Sequence, residues 1–128
     1  MLATRTTPQV ITQTEEPGVL VFDTYLQVRG FTPQADGMIL LKANKSYLLR
    51  SQFIIQKGTG ALRTELGLYN VNTSEFMPNS IYPVDGALDV YEYPVRFEVD
   101  TMVQIRFSTR NSASTMLPGI SFIEVREV

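Results

Sequence analysis

The segment YLLRSQFII, residues 47–55, alternates apolar and polar side chains along most of its length. A repeat of two residues is typical of a β-strand, because successive side chains point to opposite faces of the sheet. The segment therefore predicts a strand with one face in the core and the other toward solvent or a partner subunit. The predicted core face carries Tyr47, Leu49, Phe53 and Ile55, and the outer face carries Arg50, Gln52 and Gln56.

Three other segments follow the same pattern, and apolar runs between Pro and Gly residues predict four further strands. The alternating segments have predicted core sets of Leu20, Phe22, Leu26 and Val28, of Leu62, Leu66 and Leu68, and of Val103, Ile105 and Phe107, the last with Gln104 and Arg106 facing outward. The further strands are predicted at residues 9–14, 38–41, 90–99 and 120–125, with turns at 57–60, 70–74, 100–101 and 111–118. Pro94 lacks a backbone donor, so it predicts a sheet edge or a bulge. About eight short strands without a helical stripe predict an all-β fold, an antiparallel β-sandwich of the jelly-roll type.

The composition limits the chemistry that the chain can perform. Its 128 residues suit one domain. The absence of Cys, His and Trp removes thiolate nucleophiles, disulfides and the commonest zinc ligands. We therefore predict that the protein is not an enzyme and has no catalytic residue, no metal and no cofactor.

Its 11 basic and 13 acidic residues are spread along the chain, which argues against nucleic acid as a partner. No apolar run approaches the roughly 20 residues of a spanning helix, which argues against a membrane.

Two loops have residues that could form ligand sites. Gly58 and Gly60 flank Thr59 in a predicted hairpin turn, whereas a phosphate cradle needs more glycines and a helix N-terminus. Asp85 and Asp89 could hold calcium together with backbone carbonyls. The oxygen spacing there is sparser than in calcium loops, so a solvated turn is the favoured interpretation.

The first sixteen residues differ from the rest, since Thr, Gln and Glu dominate them. We predict an N-terminal arm over residues 1–16 and a jelly-roll domain over residues 17–128. Gln9, Val10 and Ile11 are the predicted partner-binding part of the arm, by strand addition or docking. A frayed start of the chain is the alternative. The N-terminus lacks the apolar core of a secretory signal.

From about residue 19 onward, the order of elements resembles the trimeric jelly rolls of the C1q/tumour-necrosis-factor-like family, including the short versions in bacteriophage particles. Residues 37–55 are similar to that family's turn into a long inner strand, although Lys45 stands where a Gly usually precedes the Tyr at position 47. Residues 103–110 resemble its alternating strand before a variable loop. Residues 120–125 resemble its closing strand, and the resemblance implies that Phe122 lies near a three-fold axis.

The resemblance implies a homotrimer, and the aromatic residues are candidates for its contacts. Aromatic side chains are favoured at the centre of subunit interfaces because they bury a large area at low entropy cost. The predicted trimer interface consists of Tyr91, Tyr93, Phe97 and Phe122, and the alternative for each is the sandwich core.

The leading functional prediction is a structural protein of a virus particle. It would be a trimeric capsid-decoration or head-fibre component of a bacteriophage that binds the capsid surface. It would be located in the virion after assembly in the host cytoplasm. The alternative is a fibre head domain that binds a glycan or a host receptor, with a platform of Tyr69, Asn70, Asn72, Tyr82 and Asp85. A bacterial surface or spore-coat module is a third interpretation, for which a collagen-like stem would be expected.

Overall fold

The computed structural model describes residues 1–7, 9–11, 18–53, 55–57, 64–83, 89–109, 114–116 and 121–128. It describes the backbone alone for residues 10, 11, 18, 53, 55–57, 64, 82, 83, 89–91, 107–109 and 114–116. Antiparallel strands make up nearly all of the regular structure in these ranges, which contain no α-helix. The one helical element is a 3₁₀ turn at Ala35–Gly37.

Two larger sheets and one small sheet account for the strands. Sheet 1 has the spatial order β11 (Asp89–Arg96), β6 (Ser46–Phe53), β14 (Phe122–Glu127), β1 (Leu2–Thr4) and β4 (Thr24–Gln27). Sheet 2 has the order β10 (Tyr82–Pro83), β8 (Thr64–Asn70), β12 (Thr101–Thr109) and β3 (Gly18–Val19), while β5 (Ile39–Leu41) also pairs with β12 and β9 (Glu75–Phe76) with β8. The small sheet has the order β2 (Gln9–Ile11), β13 (Ser114–Met116) and β7 (Ile55–Lys57).

The core is formed by the inward side chains of both larger sheets. Sheet 1 contributes Tyr47, Leu49, Val95, Ile123 and Val125, and sheet 2 contributes Ile39, Leu41, Leu66, Leu68, Val103 and Ile105, all buried in one cluster. Burial of each large aliphatic side chain favours folding by about 1.5–3 kcal/mol relative to exposure. The structure thus confirms the predicted all-β antiparallel β-sandwich of jelly-roll type, with the alternating segments around residues 47 and 103 facing the core as expected.

Strand β11 lies at the edge of sheet 1, as Pro94 predicted. Pro94 pairs with Leu48 on β6, and no register shift occurs along this ladder. The missing donor of Pro94 is therefore accommodated by the edge position and not by a bulge. The predicted turn at residues 70–74 is also present between β8 and β9.

The prediction for residues 20–28 was wrong in its second half. Leu20 and Phe22 are buried, but Leu26 is 61% exposed and Val28 is 40% exposed. The reason is that β3 belongs to sheet 2 and β4 to sheet 1, so the chain crosses between sheets at residues 20–23. The alternation changes phase in this crossing, and Tyr25, paired with Ala3, packs against the core in place of Leu26.

Two smaller differences concern sheet 2 and the loop before β14. Gln104 was predicted to face outward into solvent, yet it is only 5% exposed because the Ala35–Gly37 turn covers it. Its Nε2 donates to the Asp36 carbonyl at 2.9 Å. Residues 111–118 were predicted as a turn, but Ser114–Met116 within them form β13. The remaining predicted turn at 57–60 and the loop at 85–89 extend outside the described residues.

Candidate functional site

The outer face of sheet 1 is the surface that this sheet turns away from the core. Alternation along the strands assigns side chains to this face, because their neighbours in each strand are buried. The described side chains of the outer face include Leu2, Leu26, Leu48, Arg50, Glu92, Pro94, Phe122, Glu124 and Arg126. Strands from both ends of the sequence meet here, since β1 lies directly beside β14.

A hollow of about 300 Å³ on the outer face is lined by the apolar side chains of Leu2, Leu26 and Phe122. Thr4 and the charged pair of Arg50 and Glu124 complete its lining. The backbone register explains the cluster, because Thr4 pairs with Phe122 and Leu2 pairs with Glu124. We call this feature the apolar hollow. Exposed apolar groups gathered within a charged surface are typical of contact sites.

Charged residues of alternating sign cross the outer face beside the apolar hollow. Arg50 pairs in register with Glu92 on one side and Glu124 on the other. Arg50 Nε lies 3.6 Å from Glu92 Oε1, and Arg126 Nε lies 3.1 Å from Glu124 Oε1. Two acidic and two basic side chains give this row no net charge. A second copy of the same surface would therefore meet no net repulsion.

The four predicted interface aromatics do not share one face. Phe122 lies on the outer face and lines the apolar hollow. Tyr93 and Phe97 pack against the buried cluster, and the Tyr93 hydroxyl donates to the Pro78 carbonyl. Tyr91 pairs with Ser51, and its side chain is outside the described part of the chain. An interface role stays a prediction for all four, and only Phe122 is placed on the exposed side of sheet 1.

Much of the predicted N-terminal arm is joined to its own chain. Leu2–Thr4 form β1 inside sheet 1, and Ala3 is 1% exposed in the core. Gln9, Val10 and Ile11 form β2, which pairs with β13. The Gln9 side chain bridges backbone groups of a neighbouring segment, at Val19 and Val21. Binding of a partner by β2 stays a prediction, and residues 12–16 are outside the described part.

Hydrogen bonds to Asp23 link the segment after β1 to the start of β4. Its carboxylate accepts hydrogen bonds from the backbone nitrogen of Thr6 at 2.8 Å and from the Thr24 hydroxyl at 2.9 Å. Desolvation, the largest single influence, would raise the pKa of Asp23, but these bonds and the nearby Arg5 charge together lower it. The carboxylate is thus held in its charged form as a structural acceptor.

The residues proposed for a glycan platform are largely engaged with the chain itself. The Arg106 guanidinium lies 3.7 Å from the centre of the Tyr69 ring, and Phe76 meets that ring edge-on at 5.2 Å. Asn70 is buried and accepts from the Thr73 backbone, while Asn72 bonds backbone groups of residues 100 and 102. The Tyr82 side chain and Asp85 are outside the described residues.

Among the described carboxylates, those of Asp23 and Asp100 act as structural acceptors of backbone hydrogen bonds. Within those ranges no group of three or more Asp or Glu side chains is arranged to hold a metal ion. The hydrogen bond from the Ala43 backbone, followed by that from Lys42, lowers the pKa of Asp100. A lowered pKa opposes general-acid chemistry near neutrality. No helix in the described part of the chain is long and apolar enough to span a membrane.

Comparisons with known proteins find likeness among solved structures. No family model matches the chain, and no curated protein matches it. Among solved structures, the chain is similar to the CBM22-1 xylan-binding domain from Paenibacillus barcinonensis Xyn10C, with 13% identity and a TM-score of 0.48. The match covers 100% of this chain and 93% of that one. A likeness at this level carries no information on what this chain binds.

The composition of the apolar hollow could not be predicted from the sequence. The sequence pattern predicted Leu26 in the core and Leu2 in a separate arm. Neither prediction indicated that the two side chains lie beside Phe122. The one available signal was the short apolar run at the N-terminus, whose strand partner lies about 120 residues away in the chain. Pairing at such a distance leaves no local mark in the sequence.

Proposed function

We propose that the protein is a non-enzymatic structural component of a virus particle that assembles as a homotrimer through the outer face of sheet 1. The apolar hollow carries this proposal. Its three apolar side chains lie at the centre of a surface whose rim charges balance, with Leu26 61% exposed and Leu2 and Phe122 partly buried. In a cyclic trimer each neighbour contacts this face with a different part of its surface, and a partly apolar face without net charge does not repel it.

The resemblance to trimeric C1q/tumour-necrosis-factor-like jelly rolls supports three copies over two. It places an aromatic residue of the closing strand near the three-fold axis. Phe122, the first residue of β14, lies on the exposed side of sheet 1. In the proposed trimer, the apolar hollow of each protomer is covered by its neighbour. The trimer then decorates the capsid or forms part of a head fibre, where it stabilises the shell by burying area between capsomers.

The first test is the solution mass of the chain, measured by light scattering coupled to size exclusion. We expect three times the chain mass of 14.4 kDa. Leu26→Glu puts a charge into the hollow and should convert the trimer to monomer. Val99→Glu is the matched control, because Val99 is 64% exposed, close to the 61% of Leu26, and lies off the outer face between β11 and β12. A wild-type monomer, or equal loss of mass in both variants, would contradict the trimer.

The second test addresses the particle. Empty capsid shells should melt at a higher temperature with the wild-type protein bound than without it, and Leu26→Glu should remove most of that gain. An unchanged shell melting temperature would refute the stabilising role. A fibre head that binds a glycan or a receptor is the alternative function. Saturable binding on a glycan array, with no binding to shells, would replace the structural role with that one.

A further inference from the structure

One end of the sandwich holds a pocket of about 370 Å³ that combines cationic side chains with an aromatic wall. This volume lies within the range of small-molecule sites in proteins. The cationic side chains that line the pocket come from three distant parts of the sequence. These are the segment after β4, the turn between β5 and β6, and β14. The charged and aromatic side chains of its lining belong to Arg29, Lys42, Lys45, Arg126, Glu127, Phe31 and Tyr47.

The positive charge of this end pocket is only partly balanced. Three of its cations have acidic partners, namely Lys42 with Asp100 at 2.9 Å, Lys45 with Glu127 at 3.2 Å and Arg126 with Glu124 at 3.1 Å. The side chains of these pairs are 31–59% exposed, and solvent screening makes such pairs weak and easily exchanged. Arg29 forms no ion pair or hydrogen bond with the described part of the chain. A guanidinium is charged at any physiological pH, so the pocket keeps an unsatisfied cation.

The aromatic wall is fixed in place by the core. The Phe31 and Tyr47 rings lie 5.9 Å apart with their planes inclined by 60°. Tyr47 is only 4% exposed, and its hydroxyl accepts from the Lys42 backbone nitrogen at 3.1 Å. Phe31 is half-buried, so part of its ring remains open to the pocket. Next to it, Gly30 has φ +77° and no atom within 4 Å of where a Cβ would stand, which leaves the turn open.

We propose that the end pocket binds an organic anion that has a carboxylate on an aromatic body. Arg29 receives the carboxylate, because a guanidinium donates two parallel hydrogen bonds to that group. The Lys45 and Arg126 charges add attraction, and the Phe31 ring contacts the aromatic body. The anion comes either from a free small molecule or from an acidic residue beside an aromatic one in a partner protein. The apolar hollow takes no part in this binding.

The test is calorimetric titration of the full chain with four probes. These are benzene-1,2-dicarboxylate, inorganic phosphate, benzyl alcohol, and the capped peptide acetyl-Asp-Phe-Asp-amide. We expect saturable binding of the dicarboxylate at one site per chain. Phosphate lacks the ring and benzyl alcohol lacks the charge, so both should bind at least tenfold more weakly. Tighter binding of the peptide than of the dicarboxylate assigns the site to a partner protein, and the reverse assigns it to a small molecule.

Two variants locate the binding. Arg29→Gln should weaken the dicarboxylate about tenfold or more, which is the expected effect of losing a hydrogen bond to a charged group. Arg96→Gln removes the same charge from an exposed arginine that does not line the pocket, and it should leave the affinity unchanged. No saturable binding by either carboxylate probe, equal losses in the two variants, or binding of phosphate as tight as the dicarboxylate would overturn the proposal. The trimer is tested with Leu26→Glu, at a residue that does not line the end pocket, so the two proposals can fail separately.

Discussion

Gly30 and Gly37 both have left-handed backbone conformations, but only Gly37 is crowded by neighbouring atoms. Alanine substitutions at the two positions therefore separate the free-energy cost of backbone strain from that of steric overlap. Gly30 has φ +77° with open space around it, and Gly37 has φ +69°. A Cβ on Gly37 would stand 2.4 Å from the Leu20 carbonyl oxygen, far inside any real contact. The Leu20 backbone resists movement, since its nitrogen donates to the Ile105 carbonyl at 2.9 Å. Replacement of each glycine by alanine should therefore destabilise the protein to different degrees.

The expected magnitudes follow from these surroundings. A left-handed alanine costs about 1–2 kcal/mol, and the loss of chain entropy in the unfolded state returns about 0.4–1 kcal/mol. Gly30→Ala should thus lower the free energy of unfolding by about 1 kcal/mol. Gly37→Ala carries the same strain and adds overpacking against a fixed backbone, which costs about 1–3 kcal/mol. The total for Gly37→Ala is about 2–4 kcal/mol.

Urea unfolding at equal protein concentration measures both free energies. The informative quantity is the difference between the two variants, because the strain common to both cancels in it. We expect Gly37→Ala to be the less stable by about 1–3 kcal/mol, with similar slopes against urea. Equal destabilisation of the two variants within about 0.5 kcal/mol would refute the reasoning, since it would mean that the Leu20 carbonyl moves at no cost.

Three other predictions concern the core, one hydrogen bond and pH. Leu68→Ala should cost about 2–5 kcal/mol in urea unfolding, because Leu68 is fully buried between the sheets, and a loss below about 1 kcal/mol would show that the site collapses around the deletion. Tyr93→Phe should cost about 1 kcal/mol by removing the bond to the Pro78 carbonyl, and an unchanged midpoint of unfolding would mean that this bond contributes nothing. The hydrogen bond from Ala43 lowers the pKa of Asp100. The carboxylate therefore stabilises the fold at pH values above its ordinary pKa, and this contribution is lost as the pH falls through the lowered pKa. The stability gap between wild type and Asp100→Asn should therefore be present at pH 7 and shrink in strong acid, and a gap that is constant with pH would contradict this assignment.

The fold was predictable because burial of one sheet face favours a repeat of two along long strands such as β6. Tyr47 and Leu49 on β6, and Val103 and Ile105 on β12, are buried at the positions that the alternation indicated. The pattern fails at residues 20–28 for a physical reason. Period-2 alternation specifies which residues share a face only while the strand stays in one sheet, and here the chain changes sheets. Leu26 was consequently assigned to the core and is exposed instead.

The candidate sites were less predictable than the fold, because both depend on contacts between distant parts of the chain. The apolar hollow needs β1 beside β14, and the end pocket needs Arg29 near Arg126. Neither pairing has a local signature, and dispersed cations in the sequence gave no indication of a cluster. The resemblance predicts that Phe122 lies near a three-fold axis; the structure shows only that it lines the apolar hollow, and the predicted role stays a prediction.

The position of β14 in sheet 1 has a consequence for how the protein is made. This strand joins β6 on one side to β1 on the other, so the sheet is two separate pieces until residues 122–127 arrive. During synthesis β1 stays unpaired on that edge until residues 122–127 have been translated, which takes on the order of 10 seconds at about 5–20 residues per second. A chain truncated before β14 therefore has two open sheet edges, on β6 and on β1, and such edges favour aggregation and removal by cellular quality control.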